Sequence, residues 1–190
     1  AVLELVSAHM ALEDYAAAVS ALAACRHRSG GAAPGEEVLL LIAENRVLCM
    51  AATGALPAAV SAAVLPAGAA KKHELLAKAE QRVAELTCAG SVSRGETAEL
   101  QRKLVLARAE CNATHGRFLE NAAFLAPLQA DAASQDKTYR VLTGSWLCEA
   151  LGMTDRQDEA AEVSRDVERL LGEPGISMAD RTRAFARIVH

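Results

Sequence analysis

Aromatic side chains are almost missing from this sequence: three Phe, two Tyr and one Trp in 190 residues. Strands draw on aromatic and β-branched residues, so their scarcity argues against a sheet and for a helical chain. Charge of one sign is not concentrated either. The net charge is −4, and the basic residues at 26–28, 71–72, 181, 183 and 187 are scattered. Nucleic-acid binding would call for a basic stripe, so no nucleic-acid partner is expected. No apolar run reaches the roughly 18–20 residues that a bilayer span requires, and no signal peptide is visible. Membrane association is therefore not expected.

The five cysteines, Cys25, Cys49, Cys88, Cys111 and Cys148, are odd in number, and none forms a CxxC pair. Four of them lie among apolar residues of predicted helices. They read as buried free thiols of a reducing compartment, which points to cytoplasm and nucleus.

Motifs that carry chemistry are also wanting. HExxH does not occur; "HELLA" at 73–77 has Ala77 where a second ligand would stand. There is no HxH. "GGAAPG" at 30–35 is not followed by GK[ST] and reads as a connector. GxSxG and GxGxxG are missing too. From spacing alone, the expectation is a chain that is not an enzyme, has no metal or cofactor, and keeps its helices in the presence of a chelator.

What the sequence does have is alanine. "ALEDYAAAVSALAAC" at 11–25 contains one aromatic, Tyr15, among mostly small side chains. Alanine is the best helix former, and at a helix crossing it lets the axes approach toward the short end of the ~8–10 Å range. Similar stretches begin at Ala51, Ala113 and Leu151. Three of them pair a large apolar residue with a small or polar one three positions on: Tyr15 with Ala18, Leu56 with Ala59, and Phe118 with Asn121, beside Ala122. That spacing puts both on one helix face. The markers Ala18, Ala59, Asn121 and Ala161 are separated by 41, 62 and 40 residues. A period near 40 residues, interrupted once, is the mark of an α-solenoid.

The expected fold is all-α: a right-handed solenoid of TPR-like or HEAT-like hairpins forming one domain over 1–190. Hairpins are predicted at about 1–26, 36–66, 95–130 and 134–171, with another starting at 177–190. Ser93 with Glu96, and Thr154 with Gln157, have capping-box spacing. Residues 70–89 fill the long gap as an extra helix, with Leu75, Leu76, Ala79, Val83 and Leu86 on one face. That helix reads as an addition to an otherwise complete array, removable with little loss. Packing roles fall to Tyr15, Ala18, Leu56, Ala59, Phe118, Ala122 and Ala161. Tyr139, Leu142 and Trp146 could line a peptide groove, although residues at helical spacing are more often core.

"LELVSAHMALEDYAAAVSALAACR", followed by a glycine-containing loop and "EEVLLLIAENRVLCMAATGALPAAVSAAVLPAG", resembles the helical-repeat arms of the PCI proteins. Within that family the order of motifs is most similar to the COP9 signalosome, with the proteasome lid as the nearest rival. "LARAECNATHGRFLENAAFLAPL" and "YRVLTGSWLCEALGMTDRQDEAAEVSRDVERL" continue the likeness through "RTRAFARIV". It covers residues 1–69 and 96–190. Asn121 stands where a small residue is expected, and residues 70–95 have no counterpart of that length.

The resemblance implies a scaffold subunit whose arm leads into a winged helix, absent from 1–190. Its partners would be other PCI subunits and the cullin–RING ligases from which that complex removes a ubiquitin-like modifier. The zinc isopeptidase would be a different subunit. The chain opens without Met and stops at "FARIVH", so a piece of a longer protein is expected. Taken by itself, it is expected to be monomeric.

Overall fold

The computed structural model describes residues 5–6, 8–9, 14–28, 33–52, 70–130 and 136–188. Among these residues the protein is all-helical, with eight helices and no strand. They are α1 (Tyr15–Arg28), α2 (Pro34–Ala52), α3 (Ala70–Cys88), α4 (Arg94–Thr114), α5 (Phe118–Ala130), α6 (Lys137–Gly152), α7 (Gln157–Leu171) and α8 (Met178–Ile188). The predicted helix at 56–66, with Leu56 and Ala59, lies outside the described residues.

The backbone groups into two compact units, Ala1–Thr114 and His115–His190, where a single domain was expected. The predicted 95–130 hairpin is divided between them. α4 packs on α2 and α3, whereas α5 packs on α6.

In the first unit α2 is the central helix, touching α1, α3 and α4. Its sequence "VLLLIAENRVLCMAA" is apolar nearly all round, as suits a helix covered on several sides. One side enters a core with α3 and α4 made by Val38, Ile42, Cys49, Leu76, Ala79, Val83, Leu86, Leu100, Leu104, Ala107 and Cys111. The other side offers Val47 to Val6, Ala18 and Leu22. Ala18 is fully buried there, in agreement with its expected packing role. Tyr15 begins α1.

The second unit repeats the scheme around α6, which touches α5, α7 and α8. Its core joins Val141, Val167, Leu170, Leu171, Ile176 and Ala184. Close approach is built in at Gly144. A Cβ there would lie 2.7 Å from Val167 Cγ2 and 3.2 Å from Gln129 Nε2. Ala122 is buried and Phe118 half-buried. Ala161 is exposed, contrary to expectation, and its neighbour Ala160 is the buried one. The inward face of α7 carries Ala160, Val167, Leu170 and Leu171, one position off the alignment of the repeat markers.

Helix ends follow local chemistry. The Ser93 N–H donates to Glu96 Oε2 (2.8 Å), and the Glu96 N–H donates to Ser93 Oγ (3.2 Å), so the predicted capping box forms. Thr154 does not cap α7. Its hydroxyl turns back to the Ala150 and Leu151 carbonyls at the end of α6. The intervening Asp155 takes a positive φ of 57°, and this reversal carries Thr154 away from the α7 amides. Arg181 closes the end of α7 by donating to the carbonyls of Leu171, Glu173 and Ile176.

The extra helix, α3, differs most from expectation. All five residues of its predicted face are buried, and four of them, Leu76, Ala79, Val83 and Leu86, meet α2 and α4 in one cluster. It is part of the first core rather than an appendage. Removing residues 70–92 should therefore abolish cooperative unfolding of the first unit, not leave it intact. A milder variant measures the same contact. Leu76→Ala should cost about 2–5 kcal/mol by chemical denaturation, while Leu119→Ala, at a side chain 70% exposed, should change stability by no more than about 0.5 kcal/mol.

Candidate functional site

The three residues expected to line a groove all fall on α6, but they do not share one exposed face. Tyr139 is buried; Leu142 and Trp146 are half-buried. The Arg187 guanidinium of α8 lies 3.6 Å from the centroid of the Trp146 ring, a cation–π contact. Arg187 Nε also sits 3.7 Å from Glu149 Oε2. The positive fork is thus held between an aromatic face and a carboxylate, and it ties α8 to α6. The groove reading fails at Tyr139 because that side chain fills the core.

A chain of charges runs along the α6–α7 contact. Lys137 Nζ lies 2.6 Å from Glu173, Glu173 is 2.9 Å from Arg169, Arg169 is 2.7 Å from Asp166, and Asp166 is 3.1 Å from Arg140. The bond from Lys137 does most to hold the Glu173 carboxyl below its ordinary pKa, with Arg169 and Arg140 adding to it. Beneath this chain, Gln129 Nε2 donates to the Arg140 carbonyl (2.9 Å) and to Thr143 Oγ1 (2.7 Å). Thr143 in turn donates to the Tyr139 carbonyl (2.8 Å). These bonds satisfy polar atoms at the close approach that Gly144 allows.

The first unit is laced at its surface by one Arg–Glu pair for each pair of its three largest helices. Arg82 pairs with Glu37 (2.7 Å), Arg46 with Glu110 (2.8 Å) and Arg108 with Glu80 (3.2 Å). Exposed pairs of this kind contribute little to stability and serve mainly to fix which faces meet.

Potential metal-binding atoms converge at the end of α4. Cys111, on its last turn, is fully buried. His115 follows Thr114 directly, so the last turn of α4 sets its place beside Cys111. His73 comes from the first turn of α3. One ligand atom from each of the three lies within 4.8 Å of the others. From α2 the fully buried Asn45 donates to Cys111 Sγ through Nδ2 at 3.8 Å and accepts from the Cys49 thiol at 3.9 Å. Sequence spacing gives no reason to group these residues, since His73 and Cys111 are 38 positions apart. Only Cys111 and His115, four apart at a helix end, carry a local signal. Among the other described thiols, Cys49 and Cys148 are buried and Cys88 is exposed. Burial pushes the Cys148 thiol pKa up.

No helix among the described residues is long and apolar enough to cross a membrane. No family model, no curated protein and no solved structure matches this chain.

The charge chain gives a pH test. A folded-state pKa below the unfolded value means that the Lys137–Glu173 tie contributes fully above the ordinary carboxylate range, about pH 4–5. That contribution is lost as pH falls through the lower folded value. Glu173→Gln should therefore unfold at a lower temperature than wild type near neutrality, and the gap should close on acidification. A gap that stayed constant with pH would mean the tie is not electrostatic.

Proposed function

We propose that this chain is a non-catalytic, protein-binding scaffold built from helical hairpins. The observation that supports this reading is the repeated packing scheme. In each unit one helix, α2 or α6, is held among three neighbours, leaving outer faces that are polar and mixed in sign. Glu99, Lys103, Arg108, Asp158, Glu162 and Arg165 are all on such faces. This is how helical arrays present extended surfaces to partners.

At finer resolution we propose a right-handed solenoid arm of the PCI type, in the pattern of COP9 signalosome subunit 4. The support here is the order and spacing of the quoted hairpin motifs, since no whole-chain match carries it. On this reading the partners are other PCI subunits and the cullin–RING ligase that the arm approaches, in cytoplasm and nucleus. A proteasome-lid subunit has the same layout. A free-standing TPR-like adaptor gripping a peptide is less favoured, because Tyr139 is buried and Arg187 lies over the Trp146 ring.

Affinity purification of the full-length protein with identification of its partners tests the proposal. Recovery of signalosome subunits supports the finer reading, and lid subunits would replace it with the lid. Recovery of neither, with a single peptide-bearing partner instead, would favour the adaptor. The 190-residue chain alone is expected to be a monomer by light scattering after size exclusion. The large apolar side chains left exposed on α8, Met178 and Phe185, are seven residues apart, with Arg181 and Thr182 between them at helical spacing. A concentration-independent dimer mass would overturn this expectation, and reversal of the dimer by Phe185→Asp would locate the contact on α8.

A further inference from the structure

We propose that His73, Cys111 and His115 form a binding site for a zinc-type divalent metal ion, clamping the first turn of α3 to the last turn of α4. Their ligand atoms lie within 4.8 Å of one another. Tetrahedral Zn²⁺, with bonds of about 2.0–2.3 Å to nitrogen and sulfur, holds its ligand atoms roughly 3.5 Å apart. The difference, about an ångström, is on the scale of a side-chain rotation.

The donor set selects the class of ion. One thiolate and two imidazoles suit zinc and similar borderline metals, whereas calcium and magnesium require oxygen ligands. Three protein ligands leave a fourth tetrahedral position open to water or to a further donor.

The surroundings fit the role. Metal binding requires Cys111 as the thiolate, and the Asn45 Nδ2–H group already points at its sulfur (3.8 Å). A buried amide donor is the kind of supporting group that steadies a metal-bound sulfur and fixes its direction. Asn45 is itself held from the other side by the Cys49 thiol. Its burial in α2, where an apolar residue would pack as well, thereby gains a reason. The helices that carry the ligands are already joined by an apolar core, so the fold does not wait for the ion. Binding should stabilise the packing of α3 on α4 without creating those helices; it departs from the sequence expectation of no metal, while helical content should still survive a chelator. The proposal is independent of the scaffold reading, and its failure would leave that reading untouched.

Cobalt titration of the metal-free 190-residue chain is the test, because a Co²⁺–thiolate bond gives a near-ultraviolet charge-transfer band together with intense tetrahedral visible bands. Wild type is expected to show both, saturating at one equivalent and displaced by Zn²⁺. Cys111→Ser should lose the charge-transfer band, and Cys88→Ser, at the exposed thiol, should keep it. His73→Ala and His115→Ala should each weaken binding by about tenfold or more, the scale set by losing even a supporting residue. Zn²⁺ should raise the thermal midpoint of wild type, and a chelator should reverse the rise while circular dichroism at low temperature stays unchanged. If Cys111→Ser loses its helical signal, the two histidine variants at half-buried positions carry the test. No charge-transfer band in wild type, a band that survives in Cys111→Ser, or unaltered affinity in both histidine variants would overturn the proposal.

Discussion

The burial of one helix among three others is the constraint on which the rest of the structure depends. In the first unit that helix is α2, and its apolar surface is divided between a core with α3 and α4 and a smaller one with Val6 and α1. A helix covered in this way cannot keep a polar face, and the "VLLLIAENRVLCMAA" run meets that demand almost throughout. Its polar residues are Glu44, Asn45 and Arg46; the two charged ones are half-buried, whereas Asn45 is fully buried and must find partners inside the core, since an unsatisfied buried amide costs about 1–3 kcal/mol. Two cysteine sulfurs supply contacts for it. The polar feature of the first core thus sits beside the proposed metal ligands because the same burial brings them together.

The second unit meets the constraint differently. α6 carries Gly144 where Val167 and Gln129 press closest, and Thr143 and Ser145 beside it are buried. Their hydroxyls donate to carbonyls within α6 itself, so small polar residues can be covered without leaving orphaned groups. The packing surface is therefore made from close backbone approach and internally satisfied hydroxyls, with fewer large apolar side chains than in α2. The surface charges of both units come after this arrangement. They bridge helices whose contact is already set by apolar burial, which is why their energetic share is small and their role is directional.

On the scaffold reading proposed above, specificity would come from shape and from the sign of the outer faces. A metal clamp between α3 and α4 would suit such a molecule. It would stiffen the surface that α3 and α4 present, and it would link the stability of that surface to metal availability without making folding depend on it.

Much was legible in the sequence. Alanine content, 3.6-residue periodicity and the near absence of aromatics give the all-helical class, and local chemistry fixes several helix ends, as at Ser93–Glu96 and at Ser177, whose hydroxyl takes the Asp180 amide. These are short-range properties, decided within one or two helical turns. The inward face of α3 was legible for the same reason. What that face meets was not, because a repeat period says how often hairpins recur and nothing about which neighbours share a core. So α3 read as an addition, the chain read as one domain, and Tyr139 read as either core or groove. The exposed Ala161 and buried Ala160 show that one position of slip in a repeat alignment turns the assigned packing face by about 100°. The convergence of His73 with Cys111 and His115 lies at the far end of this scale. Only folding α3 back along α4 brings residues 38 positions apart within reach of one ion, and no pattern along the chain records that approach.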